Sequence, residues 1–232
     1  MQNSKQNQTN RVVSWLLNAA KLIGLFVLYQ LAMIPTMLPS IMHKTSGIGV
    51  VLSALASLVL LGLLIWWLIW LYRRQTPMVS RLPRPTRPIW GLVGMFALLE
   101  LGNVLSGLVV QQTPENQVIL DKVFATNPVL NVILMALLAP IIEELIFRGL
   151  MYRWLFPRLT SWGRLVIAVA FSSILFALAH TTTFSPAIIA YLPIAIVLNL
   201  TYVWFNDIRY SLALHIINNS VAVIGMFALL SH

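Results

Sequence analysis

Ala139-Pro-Ile-Ile-Glu-Glu-Leu-Ile-Phe-Arg-Gly-Leu150 puts two adjacent carboxylates, Glu143 and Glu144, and a guanidinium, Arg148, inside an apolar run that extends from Leu130 to Leu155. The whole 232-residue chain has six acidic residues, so two of them side by side among leucines and isoleucines need a reason. A charged side chain at the centre of a bilayer costs roughly 2.5 to 3.5 kcal/mol on insertion scales, and by default such a residue marks function. On a helix Glu144 and Arg148 stand four apart on one face, in the favourable order for an ion pair. Glu143 is rotated by about 100° from its neighbour. The arginine can therefore hold one carboxylate ionised and structural, and the other is left for a different surface. Pro140, just ahead of the pair, loosens the helix and frees a backbone carbonyl near it.

Composition identifies the solvent around this run. Hydrophobic residues make up 59% of the chain and charged residues 9%, with a mean hydropathy of +0.85. No water-soluble domain hides that much apolar surface, and the chain reads as an integral membrane protein. The absence of cysteine excludes disulfides, thiolate catalysis and cysteinyl metal sites. The net charge of +9 is carried mostly by arginines between apolar spans, where topology explains it, so nucleic acid is not expected as a partner.

Seven spans are read, each near the roughly 20 residues a helix needs to cross the hydrocarbon. They run from about Val13 to Leu38, Gly47 to Tyr72, Ile89 to Val110, Pro128 to Phe156, Leu165 to His180, Pro186 to Phe205 and Tyr210 to Leu230. The predicted fold is an all-α polytopic transmembrane bundle with its active site inside. Trp66, Trp67 and Trp70 form an interfacial belt at the end of span two, and Lys21 lies near enough to one end of span one to snorkel. Lys5 and Arg11, then Arg73, Arg74, Arg81, Arg84 and Arg87, then Arg153, Arg158 and Arg164 fall on one side of such a bundle. The opposite loops hold Lys44, Glu115, Asp121 and Lys122. This asymmetry predicts a multi-pass cell-membrane protein with a cytoplasmic N-terminus and an outer C-terminus.

Prolines 77, 83, 85 and 88 make the segment between spans two and three an extended basic strap, read mainly as a topology signal, though one able to lie on anionic headgroups. Two units are predicted: residues 1–90, with spans one and two and the strap, and residues 91–232, a membrane-embedded core. Membrane lipid is the expected surrounding partner.

The core holds further polar residues. His180 closes span five in Phe176-Ala-Leu-Ala-His180, and His215 and Asn219 lie four apart on one face of span seven in His215-Ile-Ile-Asn-Asn219. A carboxylate, two imidazoles and an amide from three helices can converge to activate a water and stabilise an oxyanion. A desolvated glutamate suits the role of general base. Glu100, in span three, or Asn103 could line the same cavity, although a hydrogen-bonded carboxyl at a helix contact is the simpler reading of Glu100. Asn199, Asn206 and Asp207 read as helix-contact and loop residues.

Glu-Glu-x-x-x-Arg at 143–148, Phe-x-x-x-His at 176–180 and His-x-x-x-Asn at 215–219 resemble, in order, the three motifs of the CPBP family of intramembrane proteases, also called the Abi or CAAX-protease-and-bacteriocin-processing family. The resemblance covers roughly residues 128 to 225. It implies a membrane-embedded endopeptidase similar to the CAAX prenyl proteases, acting on a hydrophobic or lipid-associated peptide or protein, and in bacteria a role in bacteriocin processing or self-immunity. Carried over, Glu143 is the general base, His180 orients the water, His215 and Asn219 stabilise the oxyanion, and Glu144 and Arg148 hold the site in shape.

Metal is an open point. Zinc on Glu143, His180 and His215 is chemically feasible, but no His-Glu-x-x-His helix is present, and a His215 that donates to an oxyanion cannot also ligate; the metal-free assignment is preferred. The competing function is a noncatalytic immunity or binding module, or a small transporter, using the same buried groups. One geometric difficulty is foreseen. At ~1.5 Å per residue His180 lies about 24 Å from the start of span five, while His215 lies only about 8 Å from the start of span seven, so straight helices would miss each other. The cavity is expected to open toward the cytoplasmic half.

Overall fold

A computed structural model of the chain describes residues 2–41, 47–110, 128–181 and 186–230. Lys44, Glu115, Asp121 and Lys122, on which the charge asymmetry partly rests, lie outside the described residues. The helices are α1 (Gln2–Ile41), α2 (Gly47–Arg73), α3 (Pro88–Val109), α4 (residues 128–155), α5 (Trp162–Ala179), α6 (Ile188–Phe205) and α7 (Ile208–Leu230). Among the described residues five stretches are long and apolar enough to cross a membrane: Thr9–Pro39, Gly47–Arg73, Pro88–Val109, Trp162–Ala179 and Ile188–Phe205. The protein is an all-α, multi-pass membrane bundle. Ile48, Val59, Ile89 and Val166 face outward, whereas Glu144, Arg148, Ser172 and Asn199 are buried. That distribution suits lipid, which is as apolar as leucine and cannot satisfy a carboxylate.

The quoted stretch lies in α4, which is helical throughout but not regular. Leu134–Leu138 and Leu145–Leu150 are π-helical, separated by the α-helical turn Ala139–Glu144. Pro140 accounts for the first of these. It has no N–H and its ring crowds the preceding turn, so the backbone widens and the Ala139 N–H bonds back to Leu134 O. Met135 O is thereby left without the N–H of residue 140, and the Asn219 amide of α7 donates to it at 2.9 Å. In the second π segment Phe147 O is served in the same way by the Ser172 hydroxyl of α5, at 3.2 Å. Irregular backbone in the membrane thus finds its partners on neighbouring helices, and π segments are frequent at functional sites.

Two further contacts position the core. Gly149 and Gly102 allow close helix approach: a Cβ at Gly149 would meet the Tyr72 ring at 2.9 Å, and one at Gly102 would meet Pro193 Cβ at 2.6 Å. Between α6 and α7, Asn206 takes a left-handed conformation (φ 50°) that ends α6. Asp207 then accepts from the Arg209 backbone N–H and guanidinium, and these bonds hold its carboxyl below the ordinary carboxylate range.

The basic strap is more than a topology signal. Val79–Ser80 (β1) pairs in parallel with Arg158–Leu159 (β2), and Met78 and Leu159 are buried together with Tyr152, Leu165 and Tyr202. Arg153 does not act as a free loop charge either. Its Nη1 donates to Tyr72 O at 2.7 Å and Gln75 O at 3.1 Å, capping the C-terminal carbonyls of α2. Loop positions between α2 and α3 and between α4 and α5 therefore lie on the same face of the bundle.

Candidate active site

α4 delivers Glu143 and Glu144 to two different environments, as their rotation requires. Glu144 and Arg148 are fully buried, with Arg148 Nη1 3.0 Å from Glu144 Oε1. The guanidinium also reaches Ala195 O of α6 at 3.4 Å and lies over the Phe176 ring, 4.4 Å from its centroid. The same Glu144 Oε1 accepts from His215 Nδ1 at 3.0 Å. Glu144 is thus the hub of a structural triad rather than half of a pair.

Glu143 faces the two imidazoles. His180 Nε2 and His215 Nε2 each stand 3.6 Å from Glu143 Oε2. Both rings are held from behind: His180 Nδ1 bonds to Phe176 O at 2.8 Å and His215 Nδ1 to Glu144. With the Nδ1 protons donated in this way, both Nε2 atoms are turned toward one carboxylate oxygen. Phe176 sets the ring positions, with centroids 4.3 Å from His180 and 5.8 Å from His215.

The other carboxylate oxygen, Glu143 Oε1, accepts from the Tyr29 hydroxyl of α1 at 3.2 Å. Sequence reasoning missed Tyr29. A signal was present, since tyrosine favours membrane interfaces while Tyr29 stands well inside span one, where a buried hydroxyl needs a partner.

Asn219 comes to the same cavity, but one of its amide hydrogens serves Met135 O. An amide chain continues from it: Asn218 donates to Asn219 Oδ1 at 3.2 Å, and Asn103 of α3 donates to Asn218 Oδ1 at 3.0 Å. Glu100 and Asn103 line the cavity, and Glu100 Oε1 is buried with no hydrogen-bond partner. Asn199 is a helix-contact residue as expected, accepting from Tyr152 OH at 3.0 Å and donating to Ser173 at 3.0 Å.

The foreseen mismatch in depth is real for straight, parallel helices: His180 lies about 27 Å along α5 and His215 about 10 Å along α7. Part of it is absorbed by where α7 begins. Ile208 packs at Gly149, six residues beyond Glu143, so α7 starts within the bundle rather than at the end of α4. The remainder requires α5 to run obliquely.

The cavity has a volume of about 400 Å³. It occupies the half of the bundle away from the basic strap. The strap-side half is filled by Arg148, Tyr152, Tyr202 and Phe156, with Tyr152 edge-on to Tyr202 at 5.2 Å.

The atoms that a zinc ion would need are Glu143 Oε2 and the two Nε2 nitrogens. The Nδ1 partners are those that ligating histidines use, but among the described residues no group of three His, Asp or Glu side chains is placed to hold a metal ion.

The fold and site define a helical membrane protein with a glutamate and two imidazoles converging on one polar cavity. Residues 125–221 match the family model described as type II CAAX prenyl endopeptidase Rce1-like. Over 144 residues the chain is 27% identical to the membrane-embedded CAAX protease MroQ of Staphylococcus aureus (strain USA300), an alignment covering 58% of this chain and 56% of that protein. The chain thus spans little more than half the length of the curated relative it matches. No solved structure matches. Both findings fall in the group that the three motifs resemble, and both are likenesses of part of the chain.

Proposed function

We propose that the chain is an intramembrane endopeptidase in which Glu143 activates a water for attack on a peptide bond. The observation that carries this reading is the convergence of His180 Nε2 and His215 Nε2 on Glu143 Oε2, each at 3.6 Å. A water about 2.8 Å from such atoms is within hydrogen-bond reach of all of them. Glu143 takes its proton as the water oxygen bonds to the scissile carbonyl carbon. His180, held through Nδ1, orients the water. His215, held through Nδ1 by Glu144, presents Nε2 on the oxyanion side. The C–N bond then breaks and Glu143 returns the proton to the leaving amine, giving one carboxyl and one amino terminus. Asn219 supports the oxyanion side with its remaining amide hydrogen and fixes α7 against α4.

The substrate class follows the resemblance and the cavity: a hydrophobic or lipid-associated peptide, with bacteriocin processing or self-immunity as the bacterial setting. The orientation proposed is N-terminus cytoplasmic, supported by the arginines on the β1–β2 face. The test is cleavage of membrane peptides by purified chain in lipid vesicles, with and without chelator. His180→Ala and His215→Ala are each expected to reduce cleavage about 100-fold or more at equal folded protein. Variants that cleave like the parent would refute the assignment, and chelator inhibition reversed by zinc would overturn the metal-free mechanism.

A further inference from the structure

We propose that Glu100 of α3, together with Asn103 one turn further on, forms a specificity-determining subsite of the cavity that takes a cationic nitrogen of the bound peptide, from a lysine or arginine side chain or from a free amino terminus. The proposal rests on the cavity being the place of cleavage and adds what the cavity selects. Both residues line it, and their spacing of three puts them on one face of α3. α3 lies ahead of residues 125–221, which match the family model, so that likeness gives these two positions no role.

An ionisable side chain within a membrane bundle ordinarily pairs with another group. Glu144 is paired with Arg148 and His215, and Glu143 with Tyr29 and the two imidazoles. Glu100 differs: its Oε1 is buried and receives no hydrogen bond among the described residues. Neither lysine nor arginine is among the described residues that line the cavity, so the wall supplies no cation for this carboxyl. The amide chain adds a second acceptor. Met135 O only accepts, so the Asn219 side chain turns Nδ2 to it. Asn219 Oδ1 is then left to Asn218 Nδ2, and Asn218 Oδ1 to Asn103 Nδ2. Each amide thus gives its nitrogen toward α4, and the group left at the α3 end is Asn103 Oδ1, an acceptor. A carboxyl oxygen and an amide oxygen one turn apart suit an ammonium or guanidinium, which offers several N–H groups and accepts none. A single peptide N–H would serve one of these oxygens, whereas such a cation can serve both. Much of the remaining wall is apolar, with Phe26, Met33, Leu134 and Ile194. The peptide that fits is therefore predominantly apolar and carries one positive charge.

The test is binding of fluorescent, predominantly apolar peptides to the full chain carrying Glu143→Gln, so that binding is read without cleavage. Vesicles of neutral phosphatidylcholine hold the protein, since their surface does not itself attract the cation. One lysine is moved through the positions of an acetylated peptide, each with a norleucine control, and a lysine-free peptide is compared with and without its acetyl group. At one lysine position, or at the free amino terminus, the cationic peptide is expected to bind about tenfold or more tighter than its control. Glu100→Gln, added to the same chain and folded to the same extent, is expected to bring the two within about twofold. Glu100→Lys is expected to reverse the preference toward a peptide with glutamate at that position. The lysine series and the acetyl pair tell the two sources of the cation apart. Equal binding of cationic and neutral peptides at every position, binding of none, or a preference that survives Glu100→Gln would overturn the assignment. Cleavage by the chain with Glu143 intact is scored separately, and a chain that binds with this preference but cuts nothing would refute the endopeptidase reading alone.

Discussion

Glu143 uses its two oxygens differently: Oε1 accepts from Tyr29 and Oε2 faces both imidazoles. The phenol holds the carboxylate through Oε1 and leaves Oε2 to the imidazole side. Tyr29→Phe removes one hydrogen bond to a charged group, worth about 1.5 kcal/mol or more, so kcat is expected to fall about tenfold with KM little changed. A rise in KM at constant kcat would instead make Tyr29 a substrate-binding group. Arg148 belongs to another category. Its removal strands Glu144 in the bundle, and Arg148→Met is expected to destabilise the fold by about 3–5 kcal/mol, read as a lowered unfolding midpoint in detergent. An unchanged midpoint would show that Glu144 does not depend on it. The asymmetry between Glu143 and Glu144 was legible from their rotation on a helix and the position of Arg148. Tyr29 was not, because nothing local in span one points to a partner 114 residues away.

At the scale of elements, α4 is the informative one. Its apolar length and its polar face could be read directly, and Pro140 announced a loosened turn. Which carbonyl would be freed, and that Asn219 would meet it, depended on how α7 packs, so Asn219 read as an oxyanion donor while the structure gives one of its hydrogens to Met135 O. The two residues are therefore coupled. Asn219→Ala leaves a buried carbonyl unsatisfied, at a cost of about 1–3 kcal/mol. In a Pro140→Ala background the restored N–H can serve that carbonyl, and the cost of Asn219→Ala is expected to shrink. A double-mutant cycle on unfolding midpoints measures this, and additive effects would mean that the two are independent.

For the whole molecule, the apolar spans and their order were readable because lipid demands long helices that satisfy their own backbone. The direction of the cavity was not, since it depends on aromatic packing behind Arg148. From the stretch read as the first unit, residues 1–90, α1 supplies Tyr29 and part of the cavity wall, and the family match covers residues 125–221. The strap, expected to be a charge signal, is tied to the α4–α5 connection by β1 and β2 and by Arg153 beneath α2.

The most direct test of the hydrolytic site is cleavage in ¹⁸O-labelled water by the reconstituted chain and by Glu143→Gln, followed by mass spectrometry of the product termini. The parent is expected to place one labelled oxygen in each new carboxyl terminus, and Glu143→Gln, folded to the same extent, to yield at least about 100-fold less product. Equal cleavage by Glu143→Gln would contradict the central role given to this carboxylate.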